Sequence, residues 1–154
     1  MRFFQRAPEA IAHIVMNMRD WDRRELFALR RSDDPADLVS DVLAMPGPFW
    51  IAGKDVPIAA FGCMPLWPGV FSMWMFATDD FRQIGLGVTK LVVRSILPTL
   101  WSGGAHRLEC YSMEGHVDAQ RWLEKIGAKR EATLRDYGRG LEDYHVYRWS
   151  PPCA

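Results

Sequence analysis

The sequence predicts an α+β domain built on a central mixed, mostly antiparallel sheet flanked by helices. Three observations predict it: helical spacing fills the first 46 residues, three short apolar runs separated by turn residues follow, and the remainder alternates helix, strand, helix, strand, strand. This order excludes a doubly wound parallel sheet, in which helices and strands alternate throughout. A length of 154 residues with 49% hydrophobic and 25% charged side chains suits one core. The chain is read as a single domain over 1–154, with a helical part at 1–46 and the sheet core at 47–149.

The elements follow in order. Ile11, Ile14 and Val15 have the i, i+3, i+4 spacing of a helix over Pro8–Met16, with Pro8 tolerated in the first turn. A second helix starts at Asp20, a good cap, and runs through Leu26, Phe27 and Leu29. Ser32-Asp-Asp-Pro35 opens a third, carrying Leu38, Val39, Val42 and Leu43. Pro48–Ala52 and Pro57–Cys63 are apolar runs joined at hairpin spacing, and Pro68-Gly69 turns the chain into a third strand, Val70–Thr78. Val88–Trp101 reads as a helix that Pro98 kinks or ends early and Gly103-Gly104 stops. A strand at Arg107–Ser112, a helix at Val117–Ile126 ended by Gly127, and strands at Ala132–Arg135 and Asp143–Trp149 complete a sheet of six or seven strands.

Charge and cysteine usage exclude several classes. Lys plus Arg and Asp plus Glu both total 19, so no net field draws the chain to nucleic acid or an anionic membrane. Residues 1–80 carry 8 basic and 11 acidic side chains and residues 81–154 carry 11 and 8, a small positive excess that suits an anionic ligand or a solvated face. Cys63, Cys110 and Cys153 form no C-x-x-C pair, which indicates neither a disulfide framework nor a metal site and suits a reducing, cytoplasmic setting. Polar residues interrupt the apolar positions of Met1–Met18, so no leader or membrane span is expected there.

Between a strand and a helix stands Arg82-Gln-Ile-Gly85-Leu-Gly87. Glycines there let successive backbone N–H groups approach an anion at a helix N-terminus, and Thr89 offers a hydroxyl donor. The same glycines also suit a tight turn that needs them for its dihedrals alone. A Walker loop is excluded by the order Val88-Thr89-Lys90, and a Rossmann fingerprint by the missing first βαβ unit.

Arg82-x-x-Gly85-x-Gly87 after a strand resembles the acyl-CoA pyrophosphate loop of the Gcn5-related N-acetyltransferase (GNAT) family. Arg107-Leu-Glu-Cys-Tyr111, then His116-Val-Asp-Ala119 and Trp122-Leu-Glu-Lys-Ile-Gly127, is similar to that family's second block, especially in the ribosomal-protein N-terminal acetyltransferase branch. The resemblance implies a three-layer α/β/α sandwich in which the strands at 70–78 and 107–112 run parallel and splay apart around acetyl-CoA. It implies a cofactor site made by Phe76, Ala77 and Thr78, by Arg82, Gln83, Ile84, Gly85, Leu86, Gly87, Val88 and Thr89, and by His116. It further implies acetyl transfer to an amine acceptor, without a metal, with a strand N–H polarising the thioester carbonyl and Glu109 as general base. Three positions depart from the pattern: His116 replaces the usual Asn, Ala128 the usual Phe, and Leu123 the Tyr that serves as general acid.

A narrower resemblance, carried by Asn17-Met-Arg-Asp20 and Arg24-Glu25, is to the acetyltransferase-like internal virion proteins of tailed phages. It implies an alternative: a structural or binding protein that keeps the fold without turnover, located in the virion and partnered by a second copy or by other virion proteins. Asp79 and Asp80 read as turn and capping residues, Cys110 as a core thiol, and Trp50, Trp67 and Trp74 as packing aromatics.

Overall fold

A computed structural model describes residues 1–152 of the chain. Strand β1 (Arg2–Phe4) is followed by α1 (Pro8–Met16), α2 (Asp20–Ala28) and α3 (Pro35–Ala44), then by β2 (Phe49–Gly53), β3 (Pro57–Trp67) and β4 (Val70–Ala77). A 3₁₀ turn (Asp79–Gln83) leads into α4 (Gly85–Leu91), which continues through a π turn (Val92–Ile96) into α5 (Leu97–Ser102). Strand β5 (Arg107–Met113), α6 (Val117–Lys125), β6 (Lys129–Leu134) and β7 (Tyr144–Trp149) follow.

The seven strands form one sheet in the order β1-β2-β3-β4-β5-β7-β6. Every neighbouring pair is antiparallel except β4 and β5. That parallel pair is joined for only three residues, Val70 to Arg107, Phe71 to Leu108 and Ser72 to Glu109. Beyond Ser72 the strands separate, so the expected parallel, splayed pair is present and the gap opens toward Ala77.

Alternating side chains bury both faces of the sheet. Ala59, Phe61, Leu108, Cys110 and Trp149 pack under α4, α5 and α6. Phe49, Ile51, Ala60 and Phe76 pack under α1 and α3, where Ile11, Ile14 and Val15 are fully buried. Each of these aliphatic side chains contributes about 2 kcal/mol, enough to clamp the nine-residue α1 to the sheet.

Local sequence accounts for most boundaries. The Asp34 carboxylate caps α3 by accepting from Ala36 N–H at 2.8 Å, with Pro35 in the first turn. Gly104 and Gly127, both with φ near +90°, end α5 and α6 as anticipated. Two expectations need correction, and one strand is additional. Arg19, with Asp20 already inside the helix, is the residue that precedes α2. Strand β1 was not anticipated and pairs Phe3 with Ala52 on the sheet edge. Pro98 neither ends nor breaks its helix, because Leu97 N–H bonds to Val92 O at the wider π spacing and so absorbs the missing donor of the next residue.

Candidate active site

The gap between β4 and β5 is a cavity of about 490 Å³ that passes through the sheet. On the α4–α6 side its wall is Val92, Ile96, Cys110, Trp122 and Leu123; on the α2–α3 side it is Leu26, Leu38, Val42, Trp74 and Phe76. The polar side chains that line it include Asp22, Glu25, Ser112 and His116, together with the arginines Arg19 and Arg30.

The loop at 82–87 lies where the motif placed it, between β4 and a continuous helical run. Thr78 Oγ1 accepts from Asp80 N–H at 3.3 Å and caps the 3₁₀ turn. Val88 N–H makes the bond to Ile84 O, so Gly85, Leu86 and Gly87 supply the leading N–H groups of α4. Arg82, Gln83 and Leu86 are exposed beside them, whereas Ile84 and Val88 are buried and present only backbone. Neither Gly85 nor Gly87 has positive φ, which removes the dihedral explanation for these glycines. A Cβ on Gly85 would meet only the Phe81 ring at ordinary contact distance, so nothing inside the protein calls for glycine there. Gly87 differs: a Cβ would lie 3.1 Å from the Sδ of the half-exposed Met1, a tight contact with a movable side chain.

Thr89 corrects another expectation. Its hydroxyl donates to Gly85 O at 2.7 Å and accepts from Trp122 Nε1–H at 2.9 Å. The proton is committed to the helix, so Thr89 ties α6 to α4 instead of donating to an anion. Phe81 meets Trp122 edge-on from the 3₁₀ turn.

At the end of β4, Phe76 lies under α1 and Thr78 N–H bonds back to Ile58 O. Ala77 is the residue whose backbone faces the gap. Its N–H donates to Asp22 Oδ2 at 2.7 Å and its C=O accepts from Arg19 N–H at 2.9 Å. The buried Asp22 is forked by Arg19 at 2.7–3.1 Å. Burial pushes the Asp22 carboxyl above its ordinary range, against the opposing pull of Arg19, the Ala77 N–H and His116. Sequence reasoning missed Asp22; an acidic residue at i, i+4 spacing from the apolar Leu26 in α2 was the available signal.

His116 precedes α6, is buried, and stacks on Trp21 at 5.6 Å. Its Nε2 is 3.6 Å from Asp22 Oδ1 and its Nδ1 3.3 Å from Glu25 Oε2, with no hydrogen bond made at Nδ1. Glu25 Oε1 accepts from Met113 N–H at 2.5 Å. Glu109 points to the other side of β5 from Cys110 and is absent from the cavity wall. Its Oε2 takes Arg107 Nε–H at 2.6 Å and its Oε1 takes the Tyr111 hydroxyl at 3.1 Å. Tyr111 itself lines the cavity. Burial, then Glu109, pushes its phenol up to about 12, so it remains a neutral donor.

The remaining candidates keep structural places. Burial pushes the Cys63 thiol up to about 11 and the Cys110 thiol higher still, which leaves both as core residues; Cys153 lies outside the described residues. Trp50 and Trp74 pack on Phe61 and Phe76, while Trp67 is exposed. Among the described residues no three His, Cys, Asp or Glu side chains group as metal ligands, and no helix is long and apolar enough to cross a membrane.

No family model and no curated protein sequence matches the chain. Solved structures do. A ribosomal-protein-S18-alanine N-acetyltransferase from Escherichia coli is 15% identical, covering 96% of this chain and 89% of that one, at a TM-score of 0.67. A ribosomal-protein-alanine N-acetyltransferase from Brucella melitensis is also 15% identical, covering 97% and 98%, at a TM-score of 0.70. A Bacillus subtilis acetyltransferase in complex with CoA is 13% identical, covering 98% and 97%, at a TM-score of 0.66. With a protein from Desulfovibrio desulfuricans assigned to the GNAT family (16% identical, covering 97% and 96%, TM-score 0.68), they define the class: this chain has the GNAT acetyltransferase fold.

Proposed function

We propose that this protein is an N-acyltransferase that moves an acetyl group from acetyl-CoA to an amine by direct attack in a ternary complex. The observation that carries this reading is the cavity between the splayed strands β4 and β5, walled by side chains from both faces of the sheet, together with a glycine at 85 that nothing inside the protein requires. A gap walled from both faces of the sheet suits a donor and an acceptor that meet within it, as a direct transfer requires.

Acetyl-CoA supplies the activated acyl group. The N–H groups of Gly85, Leu86 and Gly87 at the head of α4, with Arg82 and Gln83 beside them, suit its pyrophosphate. Phe76 and His116, which line the gap, and Ala77 and Thr78 at the end of β4 complete the proposed cofactor site. The amine attacks as a neutral nucleophile: its N–C bond forms, the C–S bond breaks, and the amine's proton leaves through a base. Glu109 serves as that base from behind Tyr111, which lines the cavity and donates its hydroxyl to Glu109 Oε1. With Leu123 where a Tyr donor would stand, the departing thiolate takes its proton from water.

A second reading, a binding protein of this fold without turnover such as a phage virion component, is favoured by Leu123 and by Asp22, which occupies the Ala77 N–H at the gap. The two separate by following CoA thiol release with a panel of amines. Acyl transfer predicts release that falls at least tenfold in Glu109→Gln, with the pH profile altered and acetyl-CoA affinity kept. Binding of acetyl-CoA without release for any amine supports the second reading.

A further inference from the structure

We infer that the acceptor is a hydrophobic monoamine, seated with its body among the apolar side chains between α2, α3 and β4 and its nitrogen against Glu25, Ser112 and His116. This rests on the acyl-transfer reading and adds to it the chemical class of the acceptor.

The cavity carries polar atoms without partners. Ser112, 1% exposed, and His116, 4% exposed, both line it, and neither Ser112 Oγ nor His116 Nδ1 makes a hydrogen bond. Leaving such atoms buried costs free energy that a ligand group recovers. Glu25 adds an oxygen, Oε2, whose nearest polar neighbour is the same His116 Nδ1 at 3.3 Å. Together these are a hydroxyl and a ring nitrogen beside one free carboxylate oxygen, and an ammonium or amine nitrogen, rich in N–H donors, is the group that matches the carboxylate and the hydroxyl.

The charges around the site narrow the class further. The two arginines on the cavity wall each face a carboxylate, Arg19 with Asp22 and Arg30 with Asp41, and Arg30 Nε is buried without a partner. Asp22 is itself saturated by Arg19 and the Ala77 N–H, which leaves Glu25 as the carboxylate available to a ligand. Away from this cluster the α2–α3 side is Leu26, Leu38, Val42, Trp74 and Phe76, with no second acidic group for the far end of a polyamine. One cationic end and one apolar body satisfy both parts of the wall.

Calorimetric titration of the protein with phenethylamine, phenylpropanoate and spermidine, with and without CoA, tests the inference, alongside thiol release from acetyl-CoA with each amine. Phenethylamine binds and phenylpropanoate, the same body with an anionic end, does not; spermidine binds and reacts more weakly. Glu25→Gln keeps the acceptor for Met113 N–H, so the fold persists, and weakens phenethylamine roughly tenfold or more, the loss of one charge-assisted hydrogen bond. Ser112→Ala, which removes a buried hydroxyl without a partner, weakens it also while keeping thermal stability. Equal binding of phenylpropanoate, preference for spermidine, or unchanged affinity in both variants overturns the inference. Thiol release with spermidine alone leaves acyl transfer standing and the acceptor class refuted. Phenethylamine binding with no thiol release for any amine leaves the amine site standing and refutes the transfer.

Discussion

Trp122, on the cavity wall, donates its indole N–H to the Thr89 hydroxyl at 2.9 Å and so lashes α6 to the helix that begins at Gly85. The contact is side chain to side chain and partly buried, and its removal should cost about 1 kcal/mol. Trp122→Phe keeps a ring against Phe81 and removes only the donor. Urea denaturation should show that loss, and Thr89→Val should cost slightly more because it also frees Gly85 O. The double variant should lose less than the sum, since both single changes break one shared bond.

Asp22 holds the far end of β4 to α2 through Ala77 N–H and Arg19. Asp22→Ala leaves a buried N–H without an acceptor and an arginine without its partner, a loss of about 3 kcal/mol in chemical denaturation. Asp22→Asn retains an oxygen for Ala77 and should lose clearly less. Equal losses in the two variants would mean that the Ala77 bond contributes nothing.

His145 makes stability depend on pH. Burial, then Arg130, lowers its pKa from the ordinary value of about 6.5. As pH falls through 6.5 the unfolded chain takes up the proton before the native one, so stability declines; the decline ends once pH passes below the depressed native value. His145→Gln, which preserves a partner for Thr133 Oγ1, should flatten the slope of melting temperature against pH just below 6.5. An unchanged slope would assign it to other groups.

What could be read from the sequence was mostly what neighbours in the chain decide. The i, i+3, i+4 apolar spacing in α1, the Asp34 cap and Pro68-Gly69 are local signals, and each element they mark is where it was expected. Strand β1 escaped because three residues carry no readable alternation, and it exists through its pairing with Gly53, Ala52 and Ile51. The continuation of the helix through Pro98 depended on a change of hydrogen-bond spacing that composition does not encode. The site divides in the same way. Arg82 to Gly87 are contiguous and were visible as a motif, whereas Asp22, Glu25 and Ser112 come together only because α2 and β5 meet at the splayed strands.

Gly85 tests the central claim most directly. Its backbone has an ordinary helical conformation and its missing Cβ faces only the Phe81 ring, so Gly85→Val should fold with nearly the stability of the parent. A branched side chain there stands where the leading N–H groups of α4 would meet a pyrophosphate. Calorimetric titration with acetyl-CoA should show saturable binding to the parent protein and at least a tenfold weaker affinity for Gly85→Val at unchanged melting temperature. Equal affinity in the two proteins, or no binding to the parent at millimolar acetyl-CoA, would contradict the account.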